Sequence, residues 1–249
     1  MQGYDENTYG DAFADVYDDW YDAISDVDLT VVELLELAAG GPVLELGVGT
    51  GRLAVPLAEA GLAEGVKVVG VDSSEAMLAR LAWRDPGRLV EAVRGDMSAD
   101  LPEGPFALAF AAYNTLFNLT DEGAQARCFG AVAQRLRPGG RFVIEAFVPD
   151  VPPRRGDDVA VRSIAADRVV LSISVNDPDH QSASGQFVEL SEAGGVRLRP
   201  WAIRYATVEQ LDAYAAAAGL TLEHRWEAFD RTPFDDDSER HVSVYRHGP

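Results

Sequence analysis

Basic residues are scarce in this 249-residue chain: 21 lysines and arginines stand against 41 aspartates and glutamates, a formal charge of −20. A surface of that sign repels phosphate backbones, and no Lys/Arg cluster longer than Arg154-Arg155 relieves it, so nucleic acid is not an expected partner. Cysteine is almost missing. Cys128 alone builds neither a disulfide framework nor a multi-cysteine metal site, and its solitude points to a reducing compartment. Histidine is sparse as well: His180, His224, His241 and His247 stand at no motif and show no helical metal-ligand spacing, so no metal is expected. No apolar run approaches the roughly twenty residues of a bilayer span. The opening stretch MQGYDENTYGDAFADVYDDWYD lacks the basic start and apolar centre of a signal peptide. These absences lead to the expectation of a soluble, cytoplasmic protein without membrane association.

What is present suits a folded globule: 47% hydrophobic residues, four tryptophans and eight tyrosines. Strand-like and helix-like segments alternate from Val43 onward. Val43 to Leu46, Val66 to Asp72, Leu89 to Arg94, Phe106 to Tyr113 and Arg141 to Phe147 read as strands, and the fourth is almost wholly apolar, as a strand covered on both faces should be. Between them, Arg52 to Ala60 reads as a helix stopped at Gly61, Ser74 to Ala82 as a second, and Asp121 to Leu136 as a third closed by an RPGG turn. This βαβ repetition predicts an α/β doubly wound parallel sheet. After Phe147 the pattern changes. A proline-rich connector, Pro149 to Asp158, precedes four segments of period-two alternation (VAVRSI, RVVLSISV, SGQFVEL, VRLRPWAIRY), which predict antiparallel strands. Thr207 and Gln210 form a capping-box pattern for a helix running to Ala218, and TLEHRWEAF and RHVSVYRH return the chain to the sheet.

The stretch VLELGVGTGRL, Val43 to Leu53, carries glycines at 47, 49 and 51 between a strand and a helix, where they permit a tight turn and the approach of a ligand to bare backbone. A dinucleotide fingerprint would place its third glycine at 52, where Arg52 stands, and no Gly-Lys-Ser/Thr follows for a Walker loop. Asp72 ends the second strand about twenty residues on, suitably placed to accept hydrogen bonds from ribose hydroxyls. The ligand expected is a ribose-bearing one without a pyrophosphate.

ELGVGTGR (Glu45 to Arg52), VVGVDSSEAML (Val68 to Leu78), VRGDM (Val93 to Met97) and LRPGGRFVIEAF (Leu136 to Phe147) together resemble the successive motifs of class I S-adenosylmethionine-dependent methyltransferases. TYGDAFADVYD and the strand-rich insertion resemble the actinobacterial small-molecule enzymes of that family, including amino-sugar N-methyltransferases. The resemblance implies a Rossmann-like, mostly parallel seven-stranded sheet with an antiparallel β subdomain inserted after the fifth strand. It implies an N-terminal helical lid over 1–39, a cofactor core over 40–148, a substrate roof or dimer contact over 149–206, and a C-terminal helix and strands over 207–249 that complete the sheet. S-adenosylmethionine is the implied cofactor. Gly47, Gly49 and Gly51 would pass beneath its methionine and ribose, with Glu45 and Arg52 near its charged groups. Asp72 would bind the ribose, Ser73 and Met77 flank the adenine, Asp96 and Met97 meet its edge, and Tyr113 and Asn114 lie under the sulfonium.

A sulfonium carries its own leaving group, so such an enzyme works mainly by holding nucleophile and methyl in line in a dry pocket. Only the removal of the acceptor's proton depends on substrate. The residues proposed for the catalytic end are Tyr9 and Tyr17 on the lid, both also beside the cofactor, Asn118, which stands where the amino-sugar enzymes have a histidine, and Glu145. The expected activity is methyl transfer to a small-molecule metabolite or natural product (EC 2.1.1.-). A nicotinamide-dependent reductase or a non-catalytic cofactor-binding protein on the same fold is the alternative, and a homodimer through the insertion is left open.

Overall fold

The computed structural model describes residues 1–22 and 25–248. Three helices come first, α1 (Thr8–Phe13), α2 (Tyr17–Tyr21) and α3 (Val27–Ala38). Parallel strands and their crossovers follow: β1 (Val43–Leu46), α4 (Ala54–Gly61), β2 (Val68–Asp72), α5 (Glu75–Arg84), β3 (Val90–Arg94), β4 (Phe106–Ala111), α6 (Ala124–Arg135) and β5 (Leu136–Phe147). A separate antiparallel sheet holds β6 (Gly156–Ile164), β7 (Arg168–Asp177), β8 (Ser182–Ser191) and β9 (Gly195–Arg204); α7 (Val208–Ala217), β10 (Leu220–Trp226) and β11 (Arg240–His247) then rejoin the first sheet. The seven strands lie in the order β10-β11-β5-β4-β1-β2-β3, with β11 antiparallel to both neighbours. This is the expected doubly wound, mostly parallel sheet with an antiparallel insertion after its fifth strand. The strand order reverses between β1 and β4, so a crevice opens at their carboxyl ends.

Both faces of the sheet are covered, which is why β4 is buried at all six positions. Leu34 of α3, Leu57 of α4 and Phe110 of β4 belong to one core; Phe129 of α6, Leu211 of α7, Phe142 and Tyr245 belong to the other. The Thr207–Gln210 capping box at α7 has both reciprocal bonds. Two helix starts differ from the sequence expectation. α4 begins at Ala54 rather than Arg52 because Gly51 still holds a left-handed φ of 80°. α6 begins at Ala124 rather than Asp121 because Gly123 has φ 74°. The RPGG segment expected as a turn is drawn into β5, whose pairing with β4 shifts register between Phe106 and Leu108.

The second sheet is fastened to the N-terminal helices. Arg199 of β9 is 1% exposed and donates to both Asp15 carboxylate oxygens (2.6 and 3.2 Å), to Glu189 (3.2 Å) and to the Ala12 carbonyl. Phe187 packs on Phe13 and Trp20 of the N-terminal helices and Trp201 joins the same cluster beside Phe187, whereas Tyr205 meets Phe147 of the main core. The opposite face of this sheet is apolar and exposed: Val159, Val161, Ile173, Val196 and Leu198 share it by register. Among the described residues no helix is long and apolar enough to cross a membrane.

Arg199→Met would remove the buried partner that Asp15 and Glu189 share and leave them to the more exposed Arg197 and Arg168, at a cost of about 1–3 kcal/mol. Thermal denaturation should show a lower midpoint, and limited proteolysis should cut within residues 1–22 before the seven-stranded core melts.

Candidate functional site

A cavity of about 430 Å³ lies at the carboxyl ends of β1, β2 and β4, roofed by α1 and α2. That volume falls in the range of small-molecule sites. Its floor is the β1–α4 loop. Gly47, Gly49 and Gly51 all have positive φ (64°, 55° and 80°), and each glycine has a separate cause. A Cβ on Gly47 would lie 2.4 Å from Thr115 Cγ2, and one on Gly51 2.3 Å from Leu81 Cδ1. A Cβ on Gly49 would meet only the Gly47 carbonyl at 3.9 Å, so Gly49 presents bare backbone to open space. Gly47 and Gly49 line the cavity; Gly51 does not, and its small size serves the packing of α5.

Asp72 closes β2 against this loop. Its Oδ2 accepts from the Gly49 amide (2.9 Å) and its Oδ1 from the Ser74 amide (2.9 Å). Burial raises its pKa, and the nearby Asp11 carboxylate adds to the rise against these amide bonds. Ser73 and Met77 also line the wall. Ser74 caps α5 by accepting from the Met77 amide (3.2 Å). At the far wall Asp96 lines the cavity, while both its oxygens are engaged by Ser98, through the amide (2.7 Å) and the hydroxyl (2.8 Å). The carboxylate therefore holds its own turn before it meets any ligand. Met97 lies beside it, and Asn118 projects from a short 3₁₀ turn, Thr115–Asn118.

Behind the wall sits a second layer. Glu45 is 5% exposed, and its Oε2 has no hydrogen-bond partner. Burial pushes its pKa up to about 8 against the opposing charge of Arg52. Arg52, itself buried, donates to Ser25 Oγ (2.7 Å). Tyr113 and Asn114 both adopt the left-handed region (φ 49° and 63°), a costly conformation for two successive non-glycine residues. They are held there by β5: the Tyr113 amide donates to Glu145 Oε2 (2.9 Å), the Asn114 amide to the Glu145 carbonyl (2.9 Å), and the Phe147 amide to Asn114 Oδ1 (2.7 Å). Glu145 thus braces the β4 end. Its pKa is raised by burial, against the Tyr113 amide and Arg52.

The N-terminal helices bring tyrosines. Tyr9 and Tyr17 line the cavity; Tyr9 stacks on Phe13, and Tyr17 packs on Tyr21, which in turn lies 5.8 Å from Tyr113. Burial raises both phenols well above their ordinary value. They therefore keep their protons at neutral pH and act as hydrogen-bond donors, not as bases. Two acids fasten the N-terminal helices to the segments beneath. Asp11 accepts from Ser74 Oγ (2.7 Å), Asp18 from Thr50 Oγ1 (2.5 Å), and Asp18 also pairs with Arg84 (2.9 Å). Sequence reasoning missed these, together with Thr115, Asp121 and Arg127 of the wall. The spacing of Tyr9, Phe13, Tyr17 and Tyr21 at every fourth position was a legible sign of an aromatic face; the distant partners of Asp11 and Asp18 left no local sign. No histidine lines the cavity: His180 pairs with Asp177 at the surface, and His241 is buried in β11, its pKa pushed down to about 4 by desolvation. Among the described residues no group of three or more His, Cys, Asp or Glu side chains is placed to hold a metal ion.

A glycine turn at a switch point, an acidic residue closing the next strand and a helical cover define a Rossmann-like nucleoside-ligand site. The model of the methyltransferase domain matches residues 43–140. The CcbJ methyltransferase of Streptomyces caelestis superposes with a TM-score of 0.90 at 42% identity, over 99% of this chain and all of that one. The cypemycin N-terminal methyltransferase of a Streptomyces species is 29% identical over 185 residues, 74% of each chain. The amino pentose methyltransferase CalS10 of Micromonospora echinaspora, solved with S-adenosylmethionine bound, shares the fold at a TM-score of 0.68 and 20% identity over 93% of this chain and 96% of its own. The chain belongs to the S-adenosylmethionine-dependent methyltransferases, and the reductase alternative gains no support from these matches.

The raised Glu45 pKa has a definite sign. A carboxyl whose folded pKa exceeds its unfolded value favours the fold below the unfolded value, and that contribution is lost as pH rises toward about 8. Glu45→Gln should therefore be near neutral for stability at pH 5 and stabilising by about 2 kcal/mol at pH 8, read as the difference between denaturant midpoints at the two pH values.

Proposed function

We propose that the cavity binds S-adenosylmethionine and that the enzyme transfers its methyl group to an amine of a small-molecule acceptor. The observation that carries this reading is the continuous wall from Asp96 past Asp72 and the bare Gly47–Gly49 backbone to Tyr9 and Tyr17 under the lid. The fit of the residues to that group is supported by the unpartnered Glu45 Oε2, which suits an ammonium nearby, and by the open side of Gly49. When bound, S-adenosylmethionine supplies a methyl on a sulfonium that is its own leaving group.

The chain's residues would do the rest. Asp72 would accept from the ribose hydroxyls with the lone pairs left by its two amide bonds. Ser73 and Met77 would flank the adenine, and Asp96 and Met97 would face its edge. Glu45 and Arg52 would meet the ammonium and carboxylate of the methionine. Tyr113 and Asn114, fixed by Glu145, would shape the methyl end, with Asn118 orienting the acceptor. Tyr9 and Tyr17 would exclude water and donate hydrogen bonds. An amine fits this equipment because its ammonium form can give its proton to solvent before binding and then attack as the free base, so no enzymic base is required. The protonated tyrosines and the histidine-free wall support that choice, as does the amine chemistry in the name of the cypemycin relative. The apolar outer face of the second sheet supports a homodimer.

Calorimetry with S-adenosylhomocysteine should give saturable binding that weakens by about 1–3 kcal/mol in Asp72→Ala through the lost ribose contact. Unchanged affinity would remove Asp72 from the site. Tyr9→Phe should keep that affinity within about twofold while lowering methyl transfer to amine acceptors; full turnover would end its role.

A further inference from the structure

Arg162 stands apart from the other arginines of the second sheet. Arg199 and Arg197 share Asp15, Arg199 also holds Glu189, and Arg168 reaches Glu189. Arg162 makes no hydrogen bond or ion pair with any described residue. Instead its guanidinium lies over three rings, at 4.7 Å from the centroid of Trp20, 4.9 Å from Phe187 and 5.3 Å from Tyr21. Alternation places it on the face of the sheet that carries Ala160, Ser172 and Phe187, and it is the unpaired, solvent-exposed residue where the β6–β7 ladder slips between Val161 and Ser163. Bulges recur beside functional sites.

The position is informative. Trp20 and Tyr21 belong to the N-terminal helices, and Tyr21 touches both Tyr9 of the cavity wall and Tyr113 behind that wall. Arg162 and Arg52 both lie close enough that their charge favours the ionised form of Tyr113. In a protein with 20 negative charges in excess, the surroundings of Tyr113, behind the cavity wall, are therefore locally cationic. Rings that cover the faces of a guanidinium strip its weak hydration there and leave its N–H edge, a planar fork matched to one carboxylate. The carboxylates of Asp15 and Glu189 already hold other arginines, and Arg52 is buried and donates to Ser25 Oγ. One uncommitted fork fits one single-charged group, not a diphosphate.

We propose that Arg162 is the specificity residue that reads a carboxylate on the methyl acceptor, set apart from the amine that is methylated. This rests on the methyltransferase reading of the cavity, and it narrows the acceptor to an amino acid or a conjugate that keeps a free carboxylate.

The test is calorimetric titration with proline, pipecolate and glycyl-proline, each paired with its carboxamide, on the protein alone and on the protein loaded with S-adenosylhomocysteine. In at least one pair the carboxylate should bind about tenfold tighter than its amide, as a charge-assisted bidentate contact gives. That ratio should fall to about one in Arg162→Leu and take an intermediate value in Arg162→Lys, which keeps the charge without the fork. S-adenosylhomocysteine affinity should stay within about twofold in both variants, reporting an intact lid. A ratio near one in the unaltered protein, or a preference that survives Arg162→Leu, overturns the proposal; tighter binding of the amides would assign the rings to a cation instead. Failure of S-adenosylhomocysteine to bind the unaltered protein would overturn the cofactor reading separately, while the titrations on the protein alone still report on Arg162.

Discussion

The bond from the Gly49 amide to the Asp72 carboxylate ties the turn after β1 to the end of β2, and much of the site is referred to it. It requires a left-handed backbone at 49 and a strand that stops at 72. The second oxygen of Asp72 holds the Ser74 amide, which starts α5. One half-buried carboxylate thereby fixes the floor, the side wall and the entry of the next helix, and it does so while desolvation raises its pKa. Such a group is kept ordered by two amides before any ligand arrives, the arrangement expected of a preorganised polar contact.

The acidity of the chain takes on a local meaning at the lid. Asp11, Asp15 and Asp18 lie within eight residues, and each finds a different partner: a helix-capping serine, a buried arginine of the second sheet, and a threonine of the glycine loop. Repulsion among the three is relieved because their partners lie on three different elements. The short helices α1 and α2 could not persist alone at this length. They are held by these contacts and by aromatic packing on Met77, Phe187 and Trp201.

The sheet was legible because its signals are local: apolar strands, glycine stops, a capping box and the alternation after Phe147. The glycine loop and Asp72 were legible for the same reason, since the chain's own spacing places them together. The division of labour among the three glycines was not, because Thr115 and Leu81, which explain Gly47 and Gly51, arrive from elsewhere in the fold. Glu145 could be placed at a strand end but not seen as the brace of Tyr113, because that bond crosses between strands. Arg162 was missed for a similar reason: alternation assigns it to a face, but the rings of Trp20, Tyr21 and Phe187 that receive it come from distant segments.

The weld between the N-terminal helices and β9 through Arg199 has a mechanical consequence. Both seams of the N-terminal helices join a buried donor, Arg199 or Thr50, to an aspartate about a third exposed. Arg199 differs in gathering Asp15, Glu189 and the Ala12 carbonyl at one point, so a load on the short helices is passed directly into the four-stranded sheet.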